Sequence, residues 1–219
     1  MKKHLKILRK CPLFNQIEED KLMQALACLE AKIETFDKKY TIMAEGTPAK
    51  YIGIMLSGSA QISQLDYYGN RCILGNVAPS EIFGEAFACA QVEALPVSAV
   101  AAEDCRVMLM DIGRMLTTCS HACEFHRQMV FNLLKIVARK NLALHRKAEI
   151  VSHRSTREKV LAYLAEVARE TGKNEFTIPF DRQGLADYLE VDRSGLSAEL
   201  SKLKKEGLVE YEKNWFRLQ

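Results

Sequence analysis

The spacing of apolar positions changes three times along the chain. Over residues 1–29, Leu5, Leu8, Leu22, Leu26 and Leu29 recur at helical intervals, which predicts amphipathic helices with one buried face. From residue 31 to residue 112 the pattern becomes short β-rich runs broken by Gly, Pro and Asn. Strands are expected over 40–43, 51–56, 60–65, 72–74 and 107–110, with turns near Gly46, Ser57-Gly58 and Tyr68-Gly69-Asn70. Many short strands at close spacing imply a β-barrel or jelly-roll-like domain. Residues 125–150 then carry the longest helical pattern in the chain.

That long helix has two apolar stripes. Val130, Leu134, Val137, Asn141, Leu144, Ala148 and Val151 alternate spacings of 4 and 3, an unbroken heptad seam. With Leu134, Asn141 and Ala148 at a positions, the branched apolar residues fall at d; a lone Asn at a fixes register and favours a parallel dimer. A second stripe, Met129, Leu133 and Ile136, is expected to pack on the β domain. Burial on both sides marks this as a dimerisation helix.

Beyond it, residues 152–156 are polar and suit a hinge, 157–169 read as a helix with Val160, Leu161, Leu164 and Val167 inward, and 176–179 read as a short strand. Leu185, Ala186 and Leu189 give one further short helix an apolar face. Glu190-Val191 makes a turn, Asp192 is a good N-cap for a helix starting at Arg193, and Gly207 ends that helix after Leu196, Leu200 and Leu203. Two strands, 208–211 and 215–218, flank a Lys213-Asn214 turn. Helix, turn, helix and hairpin form the winged helix-turn-helix plan, whose second helix enters the DNA major groove. The fold class is therefore α+β. Residues 1–118 are expected to form a β-roll (jelly-roll-like) domain with N-terminal helices, 119–151 the dimerisation helix, and 152–219 the winged helix-turn-helix.

Charge adds less than placement does. A formal net charge of +3 over 219 residues does not announce a nucleic-acid protein, but residues 127–157 hold eight Lys and Arg against Glu149 alone. No run approaches the roughly 18 apolar residues of a membrane helix, and the basic start lacks a signal-peptide apolar stretch, so a cytoplasmic protein without membrane contact is expected. Seven cysteines without scaffold spacing fit reduced thiols. All five histidines lie outside residues 31–112, which removes the ligands a metal-dependent cupin would need, and no catalytic arrangement arises in the β region. An enzyme is not expected.

Asp181-Arg182-Gln183, followed by Leu185-Ala186-Asp187-Tyr188-Leu189 and Val191-Asp192-Arg193-Ser194, closely resembles the DNA-binding pattern of the Crp/Fnr family of bacterial transcription regulators. The resemblance extends over almost the whole chain. It implies a homodimer on a palindromic double-stranded DNA operator, with RNA polymerase as a further partner and a small-molecule effector in the β-roll. Arg193 is expected at a base edge, guanine above all. Ser194, Gly195 and Ser197 line the same early helix face, while Arg182, Gln183 and Lys202 hold phosphates. Many relatives carry Glu and a second Arg where this chain has Ser194 and Ala198, so their target sequence does not transfer. The alternative function is a ligand- or redox-sensing protein whose helix-turn-helix serves protein interaction.

In relatives that bind cyclic nucleotides, a Phe-Gly-Glu-like segment holds the ribose and an Arg-Ser-Ala-like segment the phosphate. Here Phe83, Gly84, Glu85 and Ala86 resemble the first and Ser98 the second, but Val97 occupies the Arg position. A buried phosphate without a cation is costly, so the effector is expected not to be a cyclic nucleotide unless Arg127 of the long helix supplies the charge. No metal and no definite cofactor is implied. Cys119, Cys123 and His126 stand at i, i+4 and i+7, a spacing that suits either a metal or thiol site or, more simply, buried small side chains.

Overall fold

A computed structural model describes residues 2–65, 71–117 and 124–219. The predicted turn at Tyr68-Gly69-Asn70 and the pair Cys119 and Cys123 lie outside the described residues. In chain order the elements are α1 (Leu5–Leu8), α2 (Glu19–Cys28), β1 (Lys32–Phe36), β2 (Thr41–Met43), β3 (Tyr51–Ser57), β4 (Ala60–Leu65), β5 (Arg71–Val77), β6 (Ile82–Phe83), α3 (Glu85–Cys89), β7 (Ser98–Ala101), β8 (Cys105–Asp111) and α4 (Ile112–Leu116). They continue with α5 (Glu124–Ser152), α6 (Thr156–Thr171), β9 (Glu175–Thr177), α7 (Arg182–Leu189), α8 (Arg193–Lys205), β10 (Val209–Glu212) and β11 (Trp215–Leu218). The chain divides into two compact units, Met1–Arg139 and Lys140–Gln219, with the division falling inside α5.

The first unit is built on two antiparallel four-stranded sheets, ordered β1-β8-β3-β6 and β2-β7-β4-β5. β3 and β8 are buried on both faces, which is why their sequences read as continuous apolar runs rather than alternating ones. Ile52, Ile54, Met108 and Met110 join the core that includes Leu22 and Leu26 of α2 and Met129, Leu133 and Ile136 of α5. Their neighbours Met55 and Val107 face the other way, into a core with Phe36, Phe83 and Ala99. The second stripe of α5 thus packs on the β domain as its spacing predicted. The N-terminal helical region is interrupted: Pro12 opens a short 3-10 turn, Pro12–Phe14, because a proline suits a helix start and not its interior.

Two features differ from the sequence expectations. β1, β6 and β7 are strands of five, two and four residues, too short or too polar to stand out, since β1 buries only Phe36 of its five positions. The stretch after Phe83, which no helical spacing marks, forms α3 with Gly84 as its N-cap at φ +77. A Cβ there would come 3.1 Å from Met43 Sδ and 3.2 Å from the Tyr51 carbonyl, so both conformation and space require glycine.

In the second unit α6 is held at its start by a capping box, in which the Ser155 hydroxyl accepts from the Glu158 N–H and the Glu158 carboxylate accepts from the Ser155 N–H. Those backbone bonds keep the Glu158 carboxyl below its ordinary pKa. Leu164, Leu185, Leu189, Leu196, Leu200, Leu203 and Phe216 form a core separate from the two above. The sheet β10-β11-β9 closes over it, with the hairpin turning at Lys213, which has φ +53.

Candidate nucleic-acid interface and sensory loop

α7 and α8 begin in the same way. Asp181 accepts from the Gly184 N–H at 2.7 Å, and Asp192 accepts from the Gly195 N–H at 2.9 Å, so each helix opens on an Asp-Arg-x-Gly cap with arginine at its first position. The Ser194 hydroxyl also donates to Asp192, and these two bonds hold the Asp192 carboxyl below its ordinary pKa. The turn between the helices passes through Glu190 at φ +54, and Lys159 Nζ donates to the Leu189 carbonyl left over at the end of α7.

The two opening arginines line one cleft. The cleft, of about 450 Å³, is lined by Asp181, Arg182, Gln183 and Arg193 from the helix starts, by Pro179 and Phe180, and by Lys213 and Asn214 from the hairpin turn; the Asp181 carboxylate is taken up by its helix cap. Neither Arg182 nor Arg193 forms an ion pair among the described residues. A cation at a helix N-terminus opposes the helix dipole, yet here two such cations and two helix starts share one concavity, the arrangement that suits an anion. Arg182 is steadied by the ring of Tyr211 at 5.0 Å, and Lys204 approaches the same ring at 5.3 Å. Gln183 donates to Asp187 at 2.8 Å.

The remaining sequence-predicted residues lie along α8. Ser194, Gly195 and Ser197 occupy its first two turns, and the Ser197 hydroxyl donates to the Arg193 carbonyl at 2.9 Å. Lys202 stands farther along, 3.3 Å from Glu199. The acidic side chains of α8 and its C-cap are occupied: Arg157 pairs with Glu199 at 3.4 Å and with the C-cap Glu206, and the latter bond lowers the Glu206 pKa and raises that of Arg157. The exposed start of α8 is left to its arginine. Tyr211 and Lys213 belong to this surface and were not singled out in the sequence, because a turn lysine and a strand tyrosine are ordinary until the hairpin folds back beside α7.

The region around Gly84 and Val97, where the sequence places an effector site by expectation, is organised differently. Phe83 lies against Gly53, where an added Cβ would fall 2.3 Å from the Phe83 ring. Glu85, at the first position of α3, is buried at 4% exposure, and Ala86 beside it is exposed. Val97 is buried at 9%, and Ser98 at the start of β7 uses its hydroxyl to accept from the Glu45 N–H at 3.0 Å. Arg127 stands exposed on the first turn of α5. The seam of α5 is also open in the single chain: Leu134 is 64% and Leu144 67% exposed, Asn141 and Ala148 are exposed, and Val130 and Val137 are half-buried.

A β-roll followed by a long helix and a winged helix-turn-helix with cations at its reading face defines a class, the effector-sensing DNA-binding regulators. Comparison with known proteins agrees. Residues 33–122 match the cyclic nucleotide-binding domain model and residues 158–219 the Crp-like helix-turn-helix domain model. The chain belongs to the Crp/Fnr family of transcription regulators. It is 25% identical to the transcriptional activator protein FnrL of Cereibacter sphaeroides over 182 residues, 78% of this chain and 70% of that protein. Its fold is similar to the catabolite activator protein of Thermus thermophilus, with a TM-score of 0.57 and 21% identity over 95% of this chain and 93% of that one. It is similar also to the c-di-GMP-responsive regulator CLP of Xanthomonas campestris, with a TM-score of 0.60 and 16% identity over 92% and 99%. No helix among the described residues is long and apolar enough to cross a membrane.

Proposed function

We propose that this chain acts in the cytoplasm as a homodimeric, sequence-specific DNA-binding regulator whose first unit responds to a small effector other than a cyclic nucleotide. The observation that carries the reading is the convergence of Arg182, Gln183 and Arg193 with Lys213 around one open cleft. Arg193 reads a base edge, with guanine O6 and N7 matching its planar fork, and Ser194, Gly195 and Ser197 lie against the same groove wall. Arg182, Gln183 and Lys202 take phosphates and set the register. Two copies joined along Val130, Leu134, Val137, Asn141, Leu144 and Ala148 place two recognition helices on palindromic half-sites about one helical turn apart, where the bound dimer engages RNA polymerase. The effector region comprises Phe83, Gly84, Glu85, Ala86, Val97 and Ser98, with Arg127 of α5 the candidate substitute for the missing cation. A hydrophobic side chain at 97 removes the fork that would offset a buried phosphate.

Fluorescence anisotropy on a random-sequence duplex at two salt concentrations tests the DNA-binding claim. The expected result is binding that weakens with salt, with a slope of about −0.9 per phosphate neutralised. Absence of binding, or binding indifferent to salt, would overturn it.

A further inference from the structure

A second cationic concavity lies in the first unit and shares no lining residue with either surface described above. It is a cleft of about 380 Å³ between the turn that follows the Pro12–Phe14 helix and the middle of α5. Asn15 and Gln16 line one side; Asn132, Lys135 and Arg139 line the other. Its polar frame is already fixed. Asn132, only 5% exposed, donates to the carbonyls of Leu13 at 2.9 Å and Asn15 at 2.8 Å, which ties the turn to the helix. Gln128 Nε2 donates to the Asn132 side-chain Oδ1 at 3.0 Å and to Gln16 Oε1 at 3.3 Å, extending the tie to the wall of the cleft.

The cations of the cleft are unbalanced. Lys135 and Arg139 stand four apart on one helix, a spacing at which like charges repel. Neither forms an ion pair among the described residues, and no carboxylate of those residues lines the cleft. Lys135 rests over the Phe131 ring at 4.2 Å, which limits where its ammonium can sit. A bidentate guanidinium, a compact ammonium and side-chain amides on a rigid frame are a donor set matched to phosphate oxygens. The volume suits a small molecule rather than a chain segment.

We propose that this cleft binds a small phosphate-bearing anion, with Lys135 and Arg139 as its charged contacts and Asn15 and Gln16 as amide contacts. None of the sensory-loop residues lines it, so it is a site additional to the effector region, and it does not depend on the DNA-binding reading.

Calorimetry on the full chain with inorganic pyrophosphate, against sodium chloride at matched ionic strength, is the test. The chain carrying Arg182→Gln and Arg193→Gln, which removes the arginines of the second-unit cleft, is expected to bind pyrophosphate saturably at one site per chain, and the further substitutions are read on that background. The double substitution Lys135→Gln with Arg139→Gln should weaken that binding by roughly ten- to a hundred-fold, as expected for loss of charge-assisted bonds. Gln16→Glu, which places a carboxylate in the wall without touching either cation, should weaken it as well. Lys38→Gln, on the exposed turn after β1, should leave it unchanged. Binding that is not saturable, or that survives the Lys135→Gln, Arg139→Gln substitution at undiminished strength, would overturn the proposal.

Discussion

Around Glu85 and Ser98 the first unit folds its polar atoms inward, whereas around Arg182 and Arg193 the second unit leaves its cations open. Glu85 and Val97 are buried and the Ser98 hydroxyl is taken by a backbone N–H. Among the described residues neither the half-buried Arg182 nor the exposed Arg193 has a carboxylate partner, while Glu199 and Glu206 are tied to Arg157 and Glu199 also to Lys202. The difference follows from solvation. An exposed arginine costs little to leave unpaired because water solvates it, so it stays available for an incoming phosphate. A buried region enjoys no such freedom: an anion placed there needs a built-in cation, and a valine at 97 does not provide one. The same principle therefore favours an anionic partner for the second unit and disfavours one for the sensory loop.

The largest effect expected is structural. Leu200→Ala opens a cavity in the core of the second unit, where Leu200 is wholly buried, and should cost about 2–5 kcal/mol. Thermal unfolding followed by circular dichroism should show the loss, with DNA affinity falling alongside it. A stability change under about 1 kcal/mol would mean that this core collapses around the defect.

Next is the contrast at position 97. Calorimetry with cyclic AMP and cyclic GMP should give no binding below about millimolar for the wild type, and Val97→Arg should strengthen binding by roughly ten- to a hundred-fold. The same titrations on the Lys135→Gln, Arg139→Gln double variant separate the sensory loop from the second cleft. Micromolar binding by the wild type that persists in that double variant would show that another group, with Arg127 the first to replace, has taken over the arginine role.

The dimer is expected to respond more modestly. Asn141→Leu should raise the melting temperature by several degrees while loosening register or oligomer specificity, because a polar residue leaves the a layer of the seam. Analytical ultracentrifugation decides the premise: wild type sedimenting as a monomer at micromolar concentration would end this part of the account.

The smallest effect concerns acid. The Asp192 carboxyl is held below its ordinary value by Ser194 and by the Gly195 N–H, and Glu206 is lowered by Arg157. A depressed folded pKa contributes stability that is present above the unfolded value, about 4, and is lost as pH falls through the folded value. The second unit should thus weaken below about pH 4. Asp192→Asn should flatten that dependence, and Asp192→Ala should lower the melting temperature at neutral pH by a few degrees. An unchanged acid profile in Asp192→Asn would remove the cap from the explanation.

Much of the second unit was legible because its signals are local. The Asp192 cap, the spacing of Leu196, Leu200 and Leu203, the break at Gly207 and the Lys213-Asn214 turn each act within a few residues, and α8 and the hairpin stand where those signals put them. The inward stripe of α5 was legible for the same reason. The rest depends on contacts far apart in sequence. β1 acquires its strand character from pairing with β8, some seventy residues later. α3 begins where Gly84 fits beneath Met43 and the Tyr51 carbonyl. The Arg182–Tyr211 contact and the Lys135–Arg139 cleft likewise join segments that no window of sequence brings together.

The central claim is that Arg193 reads sequence while its neighbours hold the backbone. It is tested most directly by measuring Arg193→Ala and Lys202→Ala on a selected operator and on random duplex across a salt series. Arg193→Ala should lose about 1–3 kcal/mol on the operator and relax the preference at one base pair per half-site, with little change on random DNA. Lys202→Ala should weaken both alike and reduce the salt slope by about 1. Equal losses on operator and random DNA for Arg193→Ala would contradict the account.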